Sequence, residues 1–160
     1  MFKKNIFNFL AIFVIFLTDR ITKILIIKIS EETNSVEIFQ SKFTNIQLIW
    51  NDGIAFGLLS FKKGFIYNSI SMAITFIILI LIVMMIKSKT IEKLGFIFIS
   101  GGAIGNLYDR IIFKAVPDFI DLHINNFHWF IFNIADIFIT IGVLWLISVE
   151  LFFKKKYETN

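Results

Sequence analysis

Two aspartates in the C-terminal half of the chain have the residue type and the setting for acid–base catalysis. Asp118 follows Pro117, the only proline, and Asp136 lies inside the apolar run FNIADIFITIGV. A charge at the centre of a membrane helix costs about 2.5–3.5 kcal/mol, so an acid retained there indicates a partner, a proton or a reaction. Two carboxyls in a partly dry site share one proton, and one serves as base while the other serves as acid. Such a pair activates water for attack on a peptide carbonyl, as in aspartic proteases.

Charged residues elsewhere in the apolar runs are candidates to support this pair. Asp19 and Lys23 are one helical turn apart, and an i,i+4 pair of opposite charge partly neutralises itself. A structural role and a role in the site are therefore both open for these two residues. Asp109 stands beside Arg110, and a charge pair with other partners nearby is favoured over a catalytic role for Asp109.

Polar neighbours of the two aspartates follow from spacing. Asn133 lies three residues before Asp136 and is predicted on the same helix face. Asn106 lies in GGAIGNLYDR, whose glycines allow helices to pack closely in a membrane. Asp121, three residues after Asp118, is expected to be a solvated neighbour.

Other kinds of site have little support in the sequence. The chain has no cysteine, which excludes disulfides, thiolate catalysis and cysteine-ligated metals. His123 and His128 stand near Trp129 without further ligands, so packing at a membrane interface is favoured over a zinc site. The glycines of GGAIG precede no P-loop lysine. The net charge of +4 comes from lysines beside apolar runs, the pattern of topology signals rather than of a nucleic-acid-binding face.

The elements that must position these residues are membrane-spanning helices. Hydrophobic residues make up 57% of the chain and its mean hydropathy is +0.79, well above a soluble domain. The sequence predicts one membrane domain, 1–160, and an N-terminal helix that is retained rather than cleaved as a signal peptide. Four spans are predicted, each long enough for about 30 Å of hydrocarbon: about 5–27, 65–86, 91–112 and 133–153.

Lysine placement predicts the orientation of these spans. Three lysine groups would share the cytoplasmic side: Lys3 and Lys4; Lys87, Lys89 and Lys93; and Lys154, Lys155 and Lys156. Both termini are then cytoplasmic, and the loops of about 30–64 and 113–132 are exported. Within the first loop, the partly alternating TNIQLIW before Asn51-Asp52-Gly53 predicts a strand and a turn, and so a small exported β-sheet between the first two helices.

Five segments, in order along nearly the whole chain, resemble the lipoprotein signal peptidases of bacteria, or signal peptidase II. They are TDRITK, NDGIAFG, GGAIGNLYDR, VPDFID and FNIAD. The resemblance implies an aspartic endopeptidase of the bacterial cytoplasmic membrane that cuts a prolipoprotein signal peptide before a lipid-modified cysteine. It further implies no metal or cofactor, contact with membrane lipids, and inhibition by cyclic peptide antibiotics of the globomycin type.

The same resemblance assigns roles to particular residues. The catalytic dyad falls on Asp118 and Asp136. Residues that shape the site or contact substrate fall on the family's other motif positions: Asp19, Lys23, Asn51, Gly53, Asn106, Asp109, Arg110 and Asn133. Many members carry Val where this chain has Pro117, and proline removes an N–H that could orient substrate.

Functions of other classes account less well for the pattern. An ion-coupled transporter would distribute polar residues across the full membrane depth, and it often carries an internal repeat. A scaffold protein would not require three polar-bearing spans aligned at one depth. A presenilin-type protease would require a GxGD signature, which the sequence lacks.

Overall fold

The structure, a computed structural model, describes residues 2–54, 59–60 and 65–154. Its helices are α1 (Phe2–Thr33), α2 (Phe65–Lys87), α3 (Thr90–Phe113) and α4 (Ile134–Val149). A π-helical turn, Glu150–Lys154, continues α4. The strands are β1 (Glu37–Phe39), β2 (Thr44–Asn51), β3 (Gly53–Ile54), β4 (Leu59–Ser60), β5 (Val116–Ile124) and β6 (Phe127–Phe132).

Within the described ranges, three helices are long and apolar enough to cross a membrane: Tyr67–Lys87, Thr90–Phe113 and Ile134–Phe152. They correspond closely to the second, third and fourth predicted spans. Large apolar side chains point outward from α2, including Met72, Phe76 and Leu79. The predicted first span lies within α1, whose 32 residues extend about 48 Å. A crossing by α1 stays a prediction.

Helix α3 is the central helix and contacts α1, α2 and α4. A methyl group on Gly101 would lie 2.8 Å from Ile15 of α1, and one on Gly102 would lie 2.9 Å from Ile139 of α4. The expectation that the glycines of GGAIG permit close packing is confirmed, because any side chain at these two positions would push α1 and α4 away.

The predicted strand TNIQLIW is confirmed as β2, but the predicted placement of the sheet was incomplete. An antiparallel sheet has the order β1–β2–β5–β6, and β3 and β4 form a separate pair. Two of the four strands therefore come from the segment between α3 and α4, which was predicted as a loop of about 113–132. Of the other predicted loop, 30–64, residues 55–58 and 61–64 lie outside the described residues.

The pairing of β2 with β5 is irregular beside Asp118. Ile46 pairs with Ile120, whereas Ile49 pairs with Asp118, so β2 has one extra residue between the two pairs. Such a bulge bends the strand and changes the direction of nearby side chains. Asp118 is thereby carried on a strand that is fixed to the sheet.

Candidate active site

The two candidate catalytic aspartates come from different elements and are joined by one asparagine. Asp118 lies near the start of β5, is 3% exposed, and accepts a hydrogen bond from Asn133 Nδ2 at 2.6 Å. The backbone N–H of Asn133 donates to Asp136 Oδ2 at 3.2 Å. Asn133 therefore contacts both carboxyls at once, and the structure brings Asp118 and Asp136 to one site.

Asp136 is placed by the start of helix α4. Asn133 is the N-cap residue, and its Oδ1 accepts from the backbone N–H of Asp136 at 3.1 Å. Since Asp136 also accepts from the N–H of Asn133, the two residues form a capping box. An acid in the first turn is also favoured by the helix dipole. The position of the carboxyl is therefore fixed by local helix chemistry.

Two more asparagines direct amide donors at the pair. Asn51 Nδ2 donates to Asp118 Oδ2 at 2.8 Å, and Asn106 Nδ2 donates to Asp136 Oδ1 at 2.8 Å. The Oδ1 of Asn51 accepts from the backbone N–H of Gly53 at 2.9 Å, which orients its amide. The predicted turn at Asn51-Asp52-Gly53 thus also aims a donor at Asp118.

Asn106 is oriented by a buried lysine. Its Oδ1 accepts from Lys23 Nζ at 2.9 Å and from Asn133 Nδ2 at 3.2 Å. An ammonium group is only a donor, so the amide oxygen of Asn106 must face Lys23 and its Nδ2 must face Asp136.

Lys23 belongs to a buried cluster of two acids and two bases: Asp19, Arg20, Lys23 and Asp109. Lys23 Nζ lies 2.9 Å from Asp19 and 2.7 Å from Asp109, while Arg20 lies 2.6 Å from Asp109. Asp19 also accepts from the backbone N–H of Ala135 at 3.1 Å, in the first turn of α4. The self-neutralising Asp19–Lys23 pair is confirmed, and the cluster connects α1 to α3 and α4.

The expected ion pair between Asp109 and Arg110 does not form, because Asp109 faces the cations of α1, whereas the other partners expected near Asp109 are present. Asp109 binds Lys23 and Arg20 instead. Arg110 donates to the carbonyl oxygens of Asn106 at 3.1 Å and Gly53 at 3.4 Å. Arg20 was missed as a site residue, although it stands inside the segment TDRITK.

The pKa of Asp118 is raised to about 6, first because the carboxyl is buried and second because the Asp136 carboxyl lies nearby. The amide donors Asn51 and Asn133 oppose this shift. A carboxyl with this pKa is half protonated at about pH 6, where a solvated aspartate is almost fully ionised. The pair, which titrates as a unit, can therefore hold one proton where a solvated aspartate would hold none.

An apolar cavity of about 900 Å³ adjoins Asp136. Its walls come from the β5–β6 hairpin and from α4, and they include Leu122, Ile124, Phe127, Trp129 and Ile137. A long apolar group could occupy this space while a polar bond next to it meets the carboxyl of Asp136.

Asp121 does not have the solvated position expected for it. Its side chain is buried on β5 and contacts His128, whose ring stacks on that of His123 at 4.9 Å between centroids. The alternation of a strand explains the error, because Asp121 faces β2 and β6 rather than water. In the part of the chain that the structure describes, no three His, Cys, Asp or Glu side chains are grouped to hold a metal ion.

The amino-acid sequence of the chain is similar to those of known proteins. Residues 11–153 match the family model described as signal peptidase (SPase) II. A lipoprotein signal peptidase of Pelagibacter ubique is 55% identical, over 98% of this chain and 95% of its own length. One from Anaplasma phagocytophilum is 37% identical over 99% of both chains.

Solved structures agree with these relatives. The chain resembles a bacterial membrane enzyme determined by the in meso method at 2.3 Å, with a TM-score of 0.74 and 30% identity. That match covers 90% of this chain and 86% of the other. A second such structure, at 1.9 Å, has a TM-score of 0.76 and 28% identity, and it covers 92% and 94%.

Proposed function

The chain belongs to the signal peptidase II family, and from this premise we propose that it is an aspartic endopeptidase of bacterial prolipoproteins. It would cut the signal peptide just before a diacylglyceryl-modified cysteine. The observation that carries the proposal is the contact of Asn133 with both Asp118 and Asp136. A buried and a partly buried carboxyl, both held by amide donors, are the group that an aspartic mechanism requires.

In the proposed reaction, Asp118 and Asp136 start with one proton between them. The ionised carboxyl takes a proton from water as the water oxygen bonds to the scissile carbonyl carbon, and the protonated carboxyl donates to the carbonyl oxygen. In the collapse of the diol, the carboxyl that took the water proton gives it to the amide nitrogen. One diol hydroxyl returns a proton to the other carboxyl as the C–N bond breaks, which leaves a carboxylic acid and an amine. The pair then holds one proton again, and no metal or cofactor takes part.

The asparagines would act as positioning residues. Asn133 and Asn51 fix Asp118, and Asn106 fixes Asp136, because each donates to a carboxyl oxygen at 2.6–2.8 Å. These donors stabilise an ionised carboxyl without supplying a full positive charge. The proton therefore stays movable between the two aspartates.

The apolar cavity supports a lipid-modified substrate. Its volume of about 900 Å³ and its aromatic and aliphatic walls suit acyl chains or the apolar part of a signal helix. Asp136 lines the same cavity, so a peptide bond next to the lipidated cysteine would meet the dyad. Membrane lipids and cyclic peptide inhibitors of the globomycin type are proposed to contact this region.

We place the enzyme in the bacterial cytoplasmic membrane with four spans, both termini cytoplasmic and the active site toward the exported side. The lysines around the α2–α3 connection, Lys87, Lys89 and Lys93, stand at the opposite end of α3 from Asn106 and Asp109. Asp118 and the sheet belong to the other end. The dyad would then lie where a substrate's signal helix leaves the membrane.

The test is cleavage of a diacylglyceryl-modified prolipoprotein by purified protein in detergent. We expect the wild type to cut before the lipidated cysteine and the folded variants Asp118→Asn and Asp136→Asn to lose at least about a thousandfold in rate. Glu37→Gln is the control, since it removes an exposed carboxylate from the same sheet. Near-normal cleavage by either dyad variant would exclude the aspartic mechanism.

A further inference from the structure

Asp121 is a buried acid that the proposed reaction does not use. Its side chain is 0% exposed, and its Oδ2 accepts from Gln47 Nε2 at 3.0 Å and Asn45 Nδ2 at 3.3 Å. His128 Nδ1 lies 2.8 Å from Oδ2 and 3.1 Å from Oδ1 of the same carboxyl. A carboxylate oxygen accepts, so this hydrogen bond requires a proton on Nδ1 of His128.

These contacts join three strands. Asn45 and Gln47 belong to β2, Asp121 to β5 and His128 to β6. His123 Nε2 also lies 3.2 Å from Asn45 Oδ1, and its ring stacks on His128. The group formed by Asn45, Gln47, Asp121 and His128 is called the sheet clamp below.

The sheet clamp holds the hairpin that forms one wall of the apolar cavity. Leu122, Ile124, Phe127 and Trp129 are cavity-lining residues next to or near clamp residues on β5 and β6. The β5–β6 pairing is itself irregular between Asp121 and His123, so the ladder alone fixes the register of β6 weakly there. A buried polar network whose members are satisfied favours one arrangement of the surrounding structure.

Resting on the proposed function, we propose that Asp121 and His128 are positioning residues for the substrate. They hold the β5–β6 hairpin on β2 and thereby fix the wall against which the apolar part of the substrate binds. Asp118 keeps its own contacts with Asn51 and Asn133 when the clamp opens. Loss of the clamp therefore weakens substrate binding more than it slows the chemical step.

The decisive variants are two substitutions of His128, whose side chain is half exposed. His128→Asn places an amide N–H near the position of Nδ1 and retains the hydrogen bond to Asp121. His128→Phe retains a ring that can stack on His123 but has no donor. Asp121→Asn tests the acceptor side, and Glu37→Gln is the control on the same sheet.

With the diacylglyceryl-modified substrate at fixed detergent concentration, we expect KM to rise about tenfold in His128→Phe while kcat changes less than about twofold. His128→Asn should restore KM to within about twofold of the wild type. A loss of folded enzyme alone would lower the apparent kcat and leave KM unchanged. An unchanged KM in His128→Phe, or an equal rise in His128→Asn, would overturn the proposal.

Hydrogen exchange tests the clamp without any cleavage. In the substrate-free protein, backbone amides of β6 should exchange about tenfold faster in His128→Phe and in Asp121→Asn, and at the wild-type rate in Glu37→Gln. Unchanged exchange would refute the clamp. Faster exchange in a protein that cleaves no prolipoprotein would refute the proposed function and leave the role of the clamp in the hairpin intact.

Discussion

The charge cluster (Asp19, Arg20, Lys23 and Asp109) and the candidate dyad (Asp118 and Asp136) both contain aspartates, but the partners of these aspartates differ. Asp19 and Asp109 face Lys23 and Arg20, so two negative charges meet two positive charges. Among the residues that the structure describes, the side-chain donors to Asp118 and Asp136 are neutral amides from Asn51, Asn106 and Asn133. Both regions lie side by side and share Asn106, yet only the first is neutral when every acid is ionised.

The difference indicates how one molecule separates structural carboxyls from those proposed to be catalytic. A cation beside a buried acid offsets its charge, and removal of either partner leaves an uncompensated charge. Amide donors orient an acid but do not neutralise it, so two such acids together retain a proton. Lys23 of the charge cluster orients the amide of Asn106, and Asn106 in turn positions the carboxyl of Asp136.

Removal of the central cation should have the largest effect on stability. Lys23→Met leaves Asp19 and Asp109 with Arg20 alone, so we expect the free energy of unfolding to fall by about 3–5 kcal/mol. Denaturant titration in detergent measures the loss. The double variant Lys23→Met with Asp109→Leu restores charge balance and should recover part of it. Equal stability of the wild type and Lys23→Met would show that Lys23 does not compensate the buried charges of Asp19 and Asp109.

The pH dependence of stability should report the proton that Asp118 holds in the folded protein. The folded-state pKa of Asp118, about 6, is above its ordinary value of 3.8, so the folded state binds this proton more tightly. The resulting stabilisation is full below about pH 4 and is lost as pH rises through about 6, with a total near 3 kcal/mol.

The measurement is the difference in unfolding free energy between the wild type and Asp118→Asn from pH 4 to 8. This difference should shift against the wild type as pH rises, because only the wild type loses the stabilising proton. A difference that is constant across this range would show that Asp118 does not retain a proton.

Replacement of Asn106, which contacts both regions, by an acid should have a smaller effect than the two preceding changes. This effect should be on the rate of cleavage and not on stability. Asn106→Asp retains the acceptor for Lys23 but replaces the donor to Asp136 with a second oxygen. We expect kcat to fall about a hundredfold, or about 2.7 kcal/mol. Asn125→Asp, in the exposed turn between β5 and β6, is the matched control and should leave the rate unchanged. A rate within threefold of the wild type in Asn106→Asp would remove Asn106 from the site.

Much of the fold was predictable because lipid solvation leaves strong patterns in a sequence. The later three predicted spans match α2, α3 and α4 to within a few residues, since apolar runs of this length have few alternatives. The strand TNIQLIW and the turn after it were also predicted. Strands β5 and β6 were missed because Asp118, Asp121 and the histidines interrupt the alternation by which strands are recognised.

The candidate site was predictable in its members and less so in its contacts. Asp118, Asp136 and Asn133 come together as the sequence indicated. Asp109 pairs across helices with Lys23 and Arg20, and its sequence neighbour Arg110 binds carbonyl oxygens instead.

By itself the sequence determined the apolar runs, the polar residues between them and the helix start that places Asp136, because these depend on composition and on residues three or four apart. Only the tertiary structure decided which acids meet cations and which meet amides. Those partners lie far apart in the chain: Asp118 with Asn51, Asp109 with Lys23, and Asp121 with Gln47. Their contacts exist only after α1, α3 and the sheet have packed, and that packing separates the ion cluster from the pair that we propose shares a proton.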